Sequence, residues 1–353
     1  MKKTTKKPIT VGIWGIGRAG WGMHCPEIGH YADYFKIVAA CDVEADRVGR
    51  MKEKYHCRGY TDGKAFLADP GVELVTVAVR SPEHTDYALR ALAAGKVVFL
   101  EKPIALCYAD ALKLKKAAAK YPGKLYCRHN RRFEPAFQHI REIMKSGLLG
   151  EVYEIKLCRH GFDRRDDWQT LIDCGGGQLN NWGPHIIDHA LQFLQSPVKD
   201  IWSDLKRIAA VGDAEDHLKI ILRGENGRVV DLEISGGVAL PEPVFTIFGT
   251  RGSLVADDND IKLKYLDPAQ KLATIQAKRE SPSLDASFGN SEQLKWRRQT
   301  IMIEPSSGCD THTIWSHLYA AIRDGVPFPI KTAEAVEVVR VTEAVKRGTP
   351  FAN

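Results

Sequence analysis

The stretch Ile9-Thr10-Val11-Gly12-Ile13-Trp14-Gly15-Ile16-Gly17-Arg18-Ala19-Gly20 decides the fold. Its first six residues read as a strand, and the G-x-G-x-x-G that follows opens a helix. In that setting the three glycines serve in turn for a tight turn, for backbone approach to a pyrophosphate, and for close packing of helix on strand. The helix N-terminus offers unpaired N–H groups and the positive end of its dipole to phosphate oxygens. Asp42 closes the next apolar run, 22 residues beyond Gly20, where a carboxylate can accept hydrogen bonds from an adenosine ribose. A 2′-phosphate would be repelled there, so NAD is expected in preference to NADP. The expected cofactor contacts in this region are Gly15, Ile16, Gly17, Arg18, Ala19 and Asp42.

Working outward, strands are expected at Ile37–Cys41, Val72–Val79 and Val97–Leu100, with helices at Glu44–Tyr55, Glu83–Ala94 and Ala109–Lys120. The unbroken apolar character of Val72–Val79 suits a strand buried on both faces. Repeated strand–helix alternation requires right-handed crossovers and a parallel sheet, so residues 9–127 are expected to form a doubly wound Rossmann domain. After about residue 130 the pattern changes. A helix at Pro135–Lys145 precedes period-two alternation at Tyr153–Leu157, Val230–Ile234 and Ile261–Tyr265. Residues Gly224–Gly227 suit a hairpin loop after a strand at His217–Leu222. Residues 128–353 are therefore expected to form an α/β domain with a large open, mostly antiparallel sheet for substrate binding and assembly. One sheet face would cover helices and the other would pair subunits as a homodimer or homotetramer. A last helix is expected at Ala333–Lys346, capped by Thr332, and residues 280–310 read as an irregular excursion.

With 353 residues the chain can hold two compact units, and 27% charged residues against 44% hydrophobic ones exclude wholesale disorder and fibrous repeats. No run approaches the roughly 18 apolar residues of a membrane helix. The net charge of +6 raises the question of nucleic acid. Lys2, Lys3, Lys6 and Lys7, however, lie in a basic flexible tail at residues 1–8, and without them the remainder stands at only +2. No nucleic acid or membrane partner is expected. The tail lacks the apolar core of a secretory signal, and the cysteines at 25, 41, 57, 107, 127, 158, 174 and 309 form no C-x-x-C pair. A reducing cytoplasm is the expected setting.

Two further segments carry chemistry. Glu101-Lys102-Pro103 follows the fourth strand, and strand carboxyl ends border the ligand crevice of such sheets. The segment Gly175-Gly176-Gly177-Gln178-Leu179-Asn180-Asn181-Trp182-Gly183-Pro184-His185-Ile186-Ile187-Asp188-His189 joins a glycine-rich approach to a run that sets His185 and Asp188 one helical turn apart. His185 and His189 have the spacing of a metal pair, but no third ligand fits, and no metal site is read.

With Ser81-Pro82-Glu83-His84 and Asn130-Arg131-Arg132-Phe133, these motifs follow the order and spacing of a known family. The chain closely resembles the glucose-fructose oxidoreductase/inositol dehydrogenase/rhizopine-catabolism (Gfo/Idh/MocA) oxidoreductases from about Thr10 to its last helix. The resemblance implies hydride transfer between nicotinamide and a ring secondary hydroxyl of a sugar, glycoside or cyclic polyol. Oxidation of a glycoside at C3 is one form of that chemistry. It also implies that Lys102 stabilises the developing alkoxide and that His185 takes the proton. Ser81, His84, Glu101 and Lys102 would adjoin the cofactor, while Lys102, Arg131, Trp168, Asn181, Trp182, His185 and Asp188 would adjoin the substrate. Where the family usually has aspartate four residues before the histidine, this chain has Asn181, which leaves it a role in substrate orientation alone. Each position also has a plainer role: Asp188 as a helix brace, Arg131 or Arg132 in an interdomain salt bridge, the tryptophans as packing, and His84 as a turn former. Some relatives are nucleotide-sensing regulators rather than enzymes, and retention of Lys102 and His185 argues for catalysis.

Overall fold

The computed structural model describes residues 7–277, 279–281, 283–285, 289, 292–303 and 310–352. The basic tail, apart from Lys7 and Pro8, lies outside the described residues, as does Cys309, while the other seven cysteines are free thiols. The first sheet is built from β1 (Ile9–Trp14), β2 (Phe35–Cys41), β3 (Arg58–Tyr60), β4 (Leu74–Val77), β5 (Val97–Leu100) and β6 (Leu125–Cys127). Its order is β3-β2-β1-β4-β5-β6, and every pairing is parallel. Parallel strands need helical crossovers on both faces, which explains why all four residues of β4 are buried. The order reverses between β1 and β4, and the crevice of a doubly wound sheet opens at such a switch point.

The second sheet contains β7 (Val152–His160), β8 (Val198–Lys206), β9 (His217–Gly224), β10 (Val229–Ser235), β11 (Phe245–Gly249), β12 (Gly252–Ala256), β13 (Asp260–Leu266) and β14 (Trp296–Met302). Its order is β14-β13-β12-β11-β7-β10-β9-β8, antiparallel except for β7 beside β10. Period-two alternation puts Ile155, Leu157, Val230, Leu232 and Ile247 on the covered face, against Phe137, Ile187 and Phe193 of the helices Pro135–Lys145 and Gly183–Leu194. Tyr153, Trp202, Val255 and Trp296 are exposed. The segment 280–310 is not wholly irregular, because β14 pairs in register along β13 from Leu266 with Trp296 to Asp260 with Met302. Its polar side chains hid a strand whose stability comes from main-chain pairing at a sheet edge.

The chain does not leave its first domain at residue 127. The helix Ile314–Asp324 returns to it, burying Ile314, Trp315, Leu318 and Tyr319 with Phe35 and Phe99. The final helix, Thr332–Lys346, lies between the two cores: Ala335, Val336 and Val339 pack into the first, whereas Val338, Val341 and Val345 pack into the second. A helix that alternates faces in this way has apolar residues around much of its circumference, and its periodicity alone names no partner. Thr332 is its first residue rather than its cap, and the Lys331 N–H donates to the Glu334 carboxylate at 3.2 Å.

Candidate active site

The glycine turn is built as its spacing requires. Gly15 has φ +97°, and a Cβ there would stand 2.5 Å from the carbonyl oxygen of Ala78 on the neighbouring strand. A Cβ on Gly20 would lie 2.0 Å from the carbonyl oxygen of Gly15, while one on Gly17 would meet nothing within 4 Å. The open space at Gly17 is the cradle that a pyrophosphate would fill, beside the free N–H groups of the helix start. The turn of helix at Gly20–His24 is a π-turn, followed by an α-helix at Cys25–His30. Asp42, at the end of β2, accepts the Ile16 N–H at 2.6 Å through Oδ2 and the Glu44 N–H at 3.0 Å through Oδ1. It holds the glycine loop, while Arg47 approaches Oδ2 at 3.7 Å.

Glu101, Lys102 and Pro103 leave the carboxyl end of β5 through a cis Lys102–Pro103 bond. The Glu101 carboxylate is only 4% exposed and is taken up internally. It meets His24 Nε2 and Arg128 Nη1, each at 2.8 Å, and accepts the Lys102 N–H at 3.0 Å. Arg128 is fully buried and donates from Nη2 to both Glu27 oxygens at 2.6 and 2.7 Å, and Trp315 Nε1 donates to Glu27 at 2.6 Å. This chain of charges ties the first helix, the ends of β5 and β6, and the returning helix together. Burial alone would raise the Glu101 carboxyl, but Arg128, His24 and Lys102 hold it far below the carboxylate range. Glu101 is therefore an internal anchor, with little left to offer a cofactor directly.

Lys102 Nζ donates to the main-chain oxygen of Asn181 at 2.9 Å. Burial pulls its ammonium down to about 8; Glu101 opposes that shift, and Arg128, Arg131 and Arg18 reinforce it. The link to Asn181 joins the end of β5 in the first domain to the glycine-rich segment of the second. That segment approaches closely: a Cβ on Gly177, where φ is +98°, would strike the Glu215 carboxylate at 2.2 Å. Asn180 Nδ2 donates to the oxygens of Gly175 and Gly176, and the Leu179 N–H donates to Glu215 at 3.0 Å. The segment is thus held before the helix Gly183–Leu194 begins.

On that helix His185 is buried, and its Nδ1 has no hydrogen-bond partner among the described residues. Desolvation holds its pKa well below the usual imidazole value, with Lys102, Arg131, His129 and His189 acting in the same direction. The ring is therefore neutral and able to accept a proton. His189 is occupied elsewhere: Nε2 lies 2.9 Å from the Arg131 oxygen, and the ring stacks on Phe137 at 3.9 Å. Among the described residues no group of three His, Cys, Asp or Glu is placed to hold a metal.

Several expected contacts are placed differently. Asp188 is 1% exposed and both its oxygens are gripped by Arg132, at 2.6 and 2.5 Å, so it braces the helix. Arg132 also reaches Glu334 at 2.6 Å, which makes it the tie to the final helix. His84 has Nδ1 2.6 Å from the Pro103 oxygen and Nε2 3.1 Å from the Val79 oxygen; burial keeps the ring neutral, so one of the two nitrogens donates its single N–H within the turn. Ser81 begins the short helix before it and is half-buried. Trp168 is half-buried beneath Arg80, whose guanidinium lies 5.7 Å from the ring centre. Trp182 bears the guanidiniums of Arg131 at 4.2 Å and Arg159 at 5.4 Å, and its ring meets that of His185 edge-on at 6.1 Å.

Sequence reasoning missed His24, Glu27, Arg128, His129 and Trp315. His24 lies four residues past the last motif glycine, and Arg128-His129 directly precedes the Asn130 motif, so proximity to motifs was the only signal. His129 is buried with neither ring nitrogen hydrogen-bonded among the described residues.

Known proteins place this arrangement. Residues 9–129 match the oxidoreductase family with an NAD-binding Rossmann fold, and residues 137–255 match the Gfo/Idh/MocA C-terminal domain. The scyllo-inositol 2-dehydrogenase (NADP(+)) IolW of Bacillus subtilis is 25% identical over 347 residues, spanning 95% of this chain and 92% of its own length. The myo-inositol 2-dehydrogenase of Thermotoga maritima is 26% identical across 71% of this chain and 75% of its own. An NAD-binding protein from Listeria innocua has the same fold, with a TM-score of 0.80 at 23% identity over 96% of this chain and 97% of its own. A protein of gentamicin A biosynthesis solved in complex with NAD superposes with a TM-score of 0.77 at 21% identity, over 98% of this chain and 95% of its own. The matched regions run from β1 through most of the second sheet, and the chain belongs to the Gfo/Idh/MocA family of oxidoreductases with an NAD-binding Rossmann domain.

Proposed function

We propose that the protein is an NAD-dependent dehydrogenase acting on a ring secondary hydroxyl of a sugar, glycoside or cyclic polyol, with glycoside C3 as one such position. The observation that carries this reading is the half-buried Lys102 ammonium, held on the Asn181 oxygen within electrostatic reach of a neutral His185. The bound nicotinamide supplies the hydride acceptor, or the donor in the reverse direction. Lys102 stabilises negative charge as it develops on the substrate oxygen, and His185 takes the hydroxyl proton, so that CH–OH becomes C=O as the hydride leaves. Arg131 and Asn181 orient the ring, with Trp168 and Trp182 as walls. Gly15, Ile16, Gly17, Arg18 and Ala19 hold the pyrophosphate.

Asp42 supports NAD over NADP, because a carboxylate that anchors the glycine loop would repel a 2′-phosphate brought beside it. The inositol dehydrogenases among the relatives support a polyol or sugar substrate. No helix among the described residues is long and apolar enough to cross a membrane, and we place the protein in the cytoplasm. The exposed aromatic residues Tyr153, Trp202 and Trp296 on the second sheet support a homodimer or homotetramer assembled through that face. The test is a panel of inositols, hexoses and glycosides with NAD, following nicotinamide absorbance, alongside Lys102→Ala. Turnover lost in the variant is the expected result. Cofactor binding with no turnover across the panel, and no change in the variant, would leave a non-catalytic NAD-binding regulator as the function.

A further inference from the structure

The wall beside His185 carries more positive charge than the protein neutralises. Arg131 and Arg159 both lie against Trp182 and share one carboxylate: Arg131 Nη1 pairs with one Glu134 oxygen, and Arg159 Nη2 reaches the other at 3.2 Å. The second partner of Arg159, Asp258 at 3.3 Å, is 68% exposed and screened by solvent. Arg159 Nε is buried with no hydrogen-bond partner among the described residues, a donor left over in a site that otherwise satisfies its charges.

The remaining carboxylates near the reacting groups are already committed. Asp188 is taken by Arg132, and Glu101 by Arg128 and His24. Asn181 contributes only a neutral side chain and a main-chain oxygen to Lys102. Lys102 and Arg131, the charged groups that most influence His185, both act on it as cations, which is the environment of a site waiting for an anion.

We propose that the substrate is an acidic sugar, a cyclic sugar or polyol bearing a carboxylate that docks against the Arg131–Trp182–Arg159 wall. The inference rests on the dehydrogenase reading of the same site and narrows its substrate class. The carboxylate takes no part in bond making. It supplies the missing negative charge, accepts guanidinium N–H bonds with the geometry that Arg favours, and sets which ring hydroxyl faces His185 and Lys102.

The experiment compares matched pairs on the full-length protein: D-glucuronate with D-glucose, and methyl glucuronide with methyl glucoside, with glucose 6-phosphate as the phosphate arm. Calorimetry on the NADH-loaded protein, which cannot oxidise the sugar, measures binding, and separate assays with NAD in place of NADH measure turnover as NAD reduction. The acidic member of each pair is expected to bind at least tenfold more tightly. Arg159→Gln should remove most of that preference, and Arg159→Lys should restore part of it. Cofactor binding and thermal melting establish that each variant is folded; if Arg159→Gln is not, the wild-type pairs decide the matter. Equal binding within pairs, tighter binding of the neutral member, no binding of either acid, or stronger binding of the phosphate overturns the proposal. Neutral sugars oxidised as well as acidic ones would sink the acidic class and leave the dehydrogenase standing. Selective binding of the acids without turnover would uphold the anion site and defeat the dehydrogenase.

Discussion

Replacing Glu101 by Gln tests how the site sets the charge on Lys102. The glutamine keeps the shape of the side chain and one oxygen that can still accept from His24 and Arg128, but the Lys102 N–H loses its carboxylate acceptor and the negative charge is removed. Among the influences on Lys102, Glu101 alone favours the ammonium, while burial, Arg128, Arg131 and Arg18 oppose it. Loss of one unit charge within the site, acting through an effective dielectric of about 20, changes the stability of the ammonium by on the order of 1–2 kcal/mol. That corresponds to a fall of about one pKa unit from a starting point of about 8. The ammonium is the form that stabilises a developing alkoxide, so oxidation should decline as pH rises through the Lys102 pKa. In Glu101→Gln that decline should begin about one unit lower. On the acid side both proteins should keep their activity through the usual imidazole range, because His185 is already held neutral there. The assay is the pH profile of NAD reduction, with the Lys102 side-chain carbon shift followed by NMR as a readout that needs no substrate. A basic limb that stays near its wild-type position in the variant, with an unmoved Lys102 titration, would refute the reasoning.

Other consequences are equally specific. Arg128→Met leaves Glu101 and Glu27 buried without their shared cation and should cost about 3–5 kcal/mol in denaturant unfolding; a loss under about 1 kcal/mol would mean that the network bears little energy. Gly17→Val and Gly15→Ala should separate function from folding. The side chain at 17 enters open space and should weaken NAD binding at least tenfold with little change in melting temperature, while a Cβ at 15 meets Ala78 and should lower the melting temperature itself. Trp315→Phe removes the 2.6 Å hydrogen bond to Glu27 while keeping most of the packing, and should cost about 1.5–3 kcal/mol by chemical denaturation. Asp188→Asn should destabilise the protein without changing substrate KM, since its oxygens serve Arg132; a raised KM at unchanged stability would return Asp188 to the substrate site.

Local pattern carried much of the architecture. The run Ile9–Trp14 and the glycine hexapeptide specify their own geometry, because a strand period and a positive φ are properties of a few consecutive residues. The helix Pro135–Lys145 and the hairpin between β9 and β10 were legible for the same reason. β14 was not, since its polar residues bury little and its register comes from β13. Lys102, at the end of β5, could be singled out because strand ends in this topology border the crevice.

What a linear reading could not decide was which charges meet. Glu101, His84 and Asp188, expected beside the cofactor or substrate, each turn inward onto a partner 77, 5 or 56 positions away for one of their bonds. Trp315 lies 288 residues from the Glu27 that accepts its N–H, and no period or motif encodes such a pairing. The sequence by itself determined the dinucleotide domain, the change of architecture near residue 130 and the candidate pair Lys102 and His185, because these depend on short-range backbone geometry. Only the tertiary structure decided that a returning helix completes the first core, that Glu101 and Asp188 are anchors, and that Arg131 and Arg159 share Glu134 beside Trp182. Electrostatic partnership depends on distance and desolvation, and both exist only once the chain is folded.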